Sequence, residues 1–111
     1  MAPVELADLP GRMCTIAAAL ELVGERWSLL VVRELLVGAT RFGEIVAGTG
    51  APRDRLAARL RSLEEVGVIT RTPYKTAPPR FEYRLTDAGK ALAPVLDALK
   101  TWGLNHAVPL N

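Results

Sequence analysis

The sequence predicts a mainly α-helical domain with one small β-hairpin, and three observations point to it. Apolar residues recur at helical spacing in four successive segments up to Gly67, the period falls to two across VITRTPY and RFEYRL, and helical spacing returns from Thr86. Glycine, proline and small polar residues punctuate the changes.

Residues 1–12, with Pro3, Pro10 and Gly11, read as a loose N-terminal arm with room for one helical turn. Residues 13–106 form the folded domain and 107–111 a short tail. From Met13, the spacing of Ile16, Leu20 and Val23 gives a first helix ending near Gly24. Ser28 is placed to cap a second, SLLVVRELLVG, whose apolar residues run nearly all round it. That marks a central core helix, stopped by Gly38. Thr40 is placed to cap a third, RFGEIVA, with Phe42, Ile45 and Val46 inward and GTG as its end.

The fourth helix, 52–66, carries the functional signal. Leu56, Leu60 and Leu63 fall at i, i+4, i+7 and make one buried stripe. Pro52 suits the first turn, and Gly67 suits the left-handed position after the last. Arg55, Arg59 and Ser62 follow one flank, while Asp54, Ala58 and Arg61 lie opposite the leucines. Arginines near the positive end of the helix dipole cost some stability and create an anion site. Glu64 and Glu65 lie near the negative end, where they do not serve helix stability.

In the hairpin, Phe81, Tyr83 and Leu85 point one way and Glu82 and Arg84 the other. The connection YKTAPPR reads as longer than a tight turn and stiffened by Pro78 and Pro79, so that Lys75 and Arg80 stand at a projecting tip. The last helix, TDAGKALAPVLDALKTWG, opens at Thr86, carries Leu92, Leu96 and Leu99 as a stripe, and has Pro94 as its kink. Three helices, a two-stranded wing and a closing helix make a winged helix-turn-helix, with the 52–66 helix shaped for a DNA major groove and Ala58 permitting close backbone approach.

Charge distribution agrees. Residues 1–40 hold three arginines against five acids, residues 41–84 hold nine basic residues against five acids, and 85–111 balance at two and two. The excess lies where nucleic acid would lie. A protein-docking winged helix is the rival reading, but such a module has no need of so many arginines on one side.

The chemical inventory excludes other classes. There is one cysteine, Cys14, and one histidine, His106, so neither a disulfide framework nor a metal site assembles, and no cofactor is implied. No paired nucleophile and base or glycine-rich phosphate loop is present, which argues against an enzyme and leaves no catalytic candidate. MAPVELADLPGR is not a secretory leader, and apolar runs such as Leu29 to Val32 are too short to span a bilayer. A bacterial cytoplasmic, nucleoid-associated protein without membrane contact is expected. Trp27 and Trp102 read as core residues at helix ends.

Five pieces stand in register over about residues 13–103: Cys14 ahead of IAAALELVGERW, LLVVRELLVGATRFGEI, LAARLRSLEEVGVITR, PPRFEYRLTDAGKAL and PVLDALKTWG. In this the chain resembles the HxlR family of bacterial transcriptional regulators, relatives of the MarR group. The resemblance implies a homodimer built from N- and C-terminal dimerisation helices on a near-palindromic operator, with Arg53, Arg55, Arg59, Lys75 and Arg80 at the DNA. The full set of candidate DNA-facing residues is Arg41, Pro52, Arg53, Asp54, Arg55, Ala58, Arg59, Ser62, Lys75, Thr76 and Arg80. Some relatives sense oxidants, quinones or aldehydes through a cysteine at this position, which makes Cys14 a candidate sensor. A lone thiol is otherwise commonly buried and inert. Many relatives have proline after that cysteine, where this chain has Thr15. The expected function is a transcriptional regulator, a repressor in its simplest form, switched by a small-molecule effector or by oxidation of Cys14.

Overall fold

The computed structural model describes residues 4–109, so the first three residues of the expected arm and the last two of the expected tail lie outside it. A 3-10 turn, Leu6–Asp8, precedes α1 (Thr15–Val23), α2 (Ser28–Leu36), α3 (Phe42–Thr49) and α4 (Arg53–Glu65). The hairpin β1 (Ile69–Thr76) and β2 (Pro79–Leu85) follows, then α5 (Asp87–Lys90) and α6 (Ala93–His106). The architecture is the expected one: mainly helical, with one antiparallel hairpin.

The core is small and lies between α2, α3, α4 and the base of the hairpin. Val31, Val32, Ile45, Leu56, Leu60, Leu63, Val68 and Ile69 are buried there. The leucine stripe of α4 is therefore what holds that helix in place, as its spacing requires. Gly50 and Gly67, at φ 73° and 80°, make the left-handed exits of α3 and α4.

Several local expectations are corrected. Ser28 does not cap α2. Trp27 takes the cap position in a left-handed conformation, φ 80°, because the Ser28 N–H is committed to the Glu25 carbonyl at 3.2 Å in the turn joining the helices. Ser28 is instead a buried first-turn residue. Thr40 does not cap α3 either: the Glu44 carboxylate reaches back to accept the backbone N–H groups of Thr40 (3.0 Å) and Arg41 (2.9 Å). Those two donors, Thr40 first, hold the Glu44 carboxyl below its ordinary range. Pro52 sits one position before α4 rather than inside its first turn.

The hairpin connection is tight rather than long. The strands continue to Thr76 and Pro79, leaving Ala77 and Pro78, joined by a cis peptide bond, as the turn. A register irregularity between Pro73 and Lys75 lets the ladder run on, and Lys75 faces Arg80 directly across it. The closing helix is two helices, broken at Ala91 and Leu92, with Pro94 in the first turn of α6 rather than at a kink.

The start of α5 is fixed to the base of the wing. Thr86 Oγ1 accepts the Gly89 N–H at 3.1 Å and donates to the Gly67 carbonyl at 2.6 Å. Gly89 packs so closely that a Cβ there would lie 2.2 Å from the Val68 carbonyl oxygen and 2.8 Å from Leu85 Cδ2.

The outer helices are apolar on the wrong side for a self-contained domain. On α1, Val23 reaches the core while Ile16 and Leu20 are 72% and 54% exposed. On α6, Leu92, just before the helix, and Leu96 pack inward, but Val95, Leu99 and Trp102 are exposed. Trp102, at 60% exposure, is not a core residue, because α6 runs past the core and its C-terminal half is left exposed among the described residues. Its ring centroid lies 5.2 Å from that of His106.

Candidate nucleic-acid interface

Burial of Leu56, Leu60 and Leu63 turns the opposite face of α4 outward, and the helix presents two differently furnished flanks. The wing-side flank starts at Arg53, whose guanidinium lies 5.5 Å from the Phe42 ring centroid. Beyond it, a cleft of about 320 Å³ opens between the start of α4 and the hairpin. Arg41, Arg53 and Arg80 bring three guanidiniums to its walls, with Phe42, Tyr74, Phe81 and Tyr83 as the apolar lining. This juxtaposition of a helix start and a wing through arginines is suited to a phosphate backbone.

The wing is fastened on both sides of that cleft. The Tyr83 N–H donates to the Thr40 carbonyl at 2.7 Å, and Arg41 bridges Glu82 as a strand residue would. The Arg41 side chain lies 3.9 Å from Glu82 and 4.0 Å from the centroid of Tyr74. From the other end of α4, Glu64 pairs with Arg71 at 3.4 Å, and Arg71 stacks on Phe81 at 4.2 Å. Glu64, which opposes the helix dipole, is thus a wing anchor.

The sequence-derived candidates divide by what their side chains are doing. Pro52, Arg53, Asp54, Arg55, Lys75, Thr76 and Arg80 are exposed, and among the described residues Arg53, Arg55, Arg61, Lys75 and Arg80 have no carboxylate within 4 Å. Ala58 is half-buried and opens the middle of the face. Arg59 is different: it keeps only 24% of its side-chain surface in solvent and lies 3.7 Å from Glu25. Ser62 Oγ is occupied too, donating to the Arg59 carbonyl at 3.1 Å. Arg41 is divided between Glu82, Tyr74 and the cleft. Sequence reasoning missed Tyr74, Phe42 and Phe81, because an aromatic in a strand or short helix reads as core until the fold puts arginines over it.

Cys14 lies away from this surface. It is half-buried at the start of α1, where its Sγ accepts the Ala17 N–H at 3.3 Å as the helix cap. Among the described residues no helix is long and apolar enough to cross a membrane.

The sequence profile described as HxlR-like helix-turn-helix matches residues 22–110. The chain belongs to the HxlR-like helix-turn-helix family. The match takes in α2 to α6 and the hairpin and begins after Cys14. Among relatives, the HTH-type transcriptional regulator Rv3095 of Mycobacterium tuberculosis is 49% identical over 89 residues, 80% of this chain and 56% of that protein. The chain thus spans little more than half the length of that relative. Among solved structures, the transcription-factor candidate PA1607 superposes with a TM-score of 0.81 at 42% identity, over 88% of this chain and 68% of its own. The redox regulator HypR in its reduced form follows at TM-score 0.76 and 28% identity, over 85% of this chain and 94% of its own. Its relatives are transcriptional regulators, and the fold is the winged helix they share.

Proposed function

We propose that this chain regulates transcription by binding double-stranded DNA as a homodimer, α4 in the major groove and the hairpin on flanking backbone. The observation that carries this reading is the arginine-walled cleft between the start of α4 and the wing, where Arg41, Arg53 and Arg80 converge and two of the three have no ion pair among the described residues. A folded protein gathers guanidiniums on one exposed surface at an electrostatic cost, and a polyanion is the partner that offsets it. Arg55 reads bases, Arg53 and Arg80 hold phosphates, and Lys75 contacts backbone without regard to sequence.

Dimerisation through α1 and α6 covers Ile16, Leu20, Val95, Leu99 and Trp102, which together exceed the scattered apolar exposure of a monomeric surface. A two-fold dimer sets its two recognition helices about 34 Å apart on a near-palindromic site. Repression by occupancy is the simplest output. Two inputs have a place in the fold: an apolar effector in the groove of about 720 Å³ between α2 and α6, and oxidation of Cys14. The second is favoured by the likeness to HypR, whose description is a redox regulator. With a single cysteine in the chain, oxidation forms a disulfide to the other subunit, a mixed disulfide with a small thiol or an overoxidised acid.

The test is fluorescence anisotropy of the purified protein on duplexes from its own upstream region, across a salt series, before and after diamide. Tight binding that weakens steeply with salt is expected, and loss of binding with diamide in wild type but not in Cys14→Ser assigns the switch to the thiol. Equal binding in both states assigns the switch to a non-covalent effector. Absence of binding to these duplexes and to every fragment of a genomic selection overturns the DNA reading.

A further inference from the structure

The second flank of α4 faces the junction between α1 and α2, and that junction is unusual. Trp27 is held left-handed, φ 80°, a conformation unfavourable for a residue with a Cβ. Its indole Nε1 is buried and has no hydrogen-bond partner among the described residues. Arg26 stacks back over the same ring at 4.4 Å. The backbone so held presents Glu25 to α4 across a hollow of about 120 Å³, shared with Arg55, Ala58 and Arg59.

Among the described residues Glu25 is the sole carboxylate lining that hollow, and it stands among three guanidiniums, those of Arg26, Arg55 and Arg59. Its nearest partner is Arg59, 3.7 Å away. The carboxylate is 74% exposed, so the pair contributes little to folding. Its position matters more than its stabilising effect. It lies on a flank of the helix that the proposed function sends into DNA, where a fixed negative charge opposes phosphate and an occupied arginine is withheld from it.

We infer that Glu25 is a positioning residue that tethers Arg59 and so suppresses binding to DNA of arbitrary sequence. This rests on the DNA-binding reading above. Off an operator, Arg59 stays with Glu25 and the flank offers one free guanidinium fewer. On an operator, the contacts of Arg53 and Arg55 bring the helix close enough for Arg59 to exchange the carboxylate for a phosphate. Non-specific complexes lack the base contacts that drive this exchange, so there Arg59 stays on Glu25 although a phosphate is within its reach. Discrimination is thereby raised by a residue that touches no base, through a penalty on the wrong complex.

The experiment measures binding of wild type, Glu25→Gln, Arg59→Ala and the double variant to a random-sequence duplex and to the selected operator, each across a salt series. Glu25→Gln is expected to tighten random-sequence binding about three- to tenfold and to steepen its salt dependence by about one released counterion, the signature of one added phosphate contact. The operator-to-random affinity ratio falls accordingly. In the Arg59→Ala background the same substitution is expected to change random-sequence affinity by less than about twofold, since the tethered group is gone. Arg59→Met, which keeps the packed stem, serves if the alanine variant fails to fold. Equal tightening in both backgrounds makes Glu25 a general repulsive charge and overturns the tether. No tightening in either overturns it as well. Wild type that binds neither random duplex at low salt nor any genomic fragment overturns the DNA reading, and this inference with it.

Discussion

The face built by α4 and the hairpin and the outer sides of α1 and α6 are both open to solvent, and they are open in opposite ways. The first is charged and internally braced: Arg41 leans on Tyr74 and Glu82, Arg71 on Phe81 and Glu64, and the backbone of Tyr83 on Thr40. The second is apolar and unbraced, with Ile16, Leu20, Leu99 and Trp102 more exposed than not or nearly so. A braced polar surface keeps its shape while it waits for a charged partner, because its side chains have already lost much of their freedom. An apolar surface needs no such preparation, since burial is non-directional. The difference separates what the chain prepares in advance from what it leaves to assembly.

Both faces hang on one core, and the largest expected effect removes them together. Leu56→Ala deletes a fully buried side chain beneath α4 and should cost about 2–5 kcal/mol, read as a lowered midpoint in denaturant unfolding with DNA binding and assembly lost in parallel. Gly89→Ala separates the faces in part. Its Cβ meets the Val68 carbonyl and Leu85 at the wing base, so about 1–3 kcal/mol of destabilisation is expected, with loss of amide protection at Val68 and Thr86 before the rest in hydrogen exchange.

Arg55→Ala should cost a similar 1–3 kcal/mol, but of operator affinity rather than stability, and relax preference at one base pair while sedimentation is unchanged. The converse substitution, Trp102→Ala with Leu20→Ala, should shift sedimentation toward monomer while the circular dichroism of each protomer is kept. If the Arg55 variant altered assembly, or the Trp102 and Leu20 variant left it intact, the division between the faces would fall.

The smallest effect lies in acid. The folded-state pKa of Glu44 is depressed, so its contribution to stability is present above the ordinary carboxylate value of about 4.3 and is lost as pH falls through the lower folded value. The difference in thermal midpoint between wild type and Glu44→Gln should therefore be present near neutrality and vanish progressively below about pH 4.

Much of this was legible in the sequence, and the residues say why. The leucines of α4, the glycines that end α3 and α4, and the alternation in β2 are local signals with a fixed period, so order and type of elements follow from them. Trp102 was illegible because apolarity announces a need for burial without saying whether the cover comes from the same chain. The pairing of Arg59 was illegible because helical spacing gives an angle on α4, whereas its partner Glu25 lies in another segment. Glu64 was unexplained until β1 supplied Arg71. The turn was read as longer and the break before α6 as a kink because Pro79 continues the ladder as a strand residue, and Pro94, with no N–H to donate, begins a new helix instead of bending an old one.

The stitching of the wing to the turn before α3 has a consequence of its own. With Tyr83 bonded to Thr40, Arg41 bridged to Glu82 and Glu64 paired with Arg71, helix and wing move as one jaw. In the proposed homodimer two such heads would form a caliper: a signal need not deform either jaw, only change the gap. Two operators carrying the same half-sites a base pair further apart would then be told apart with every base contact unchanged.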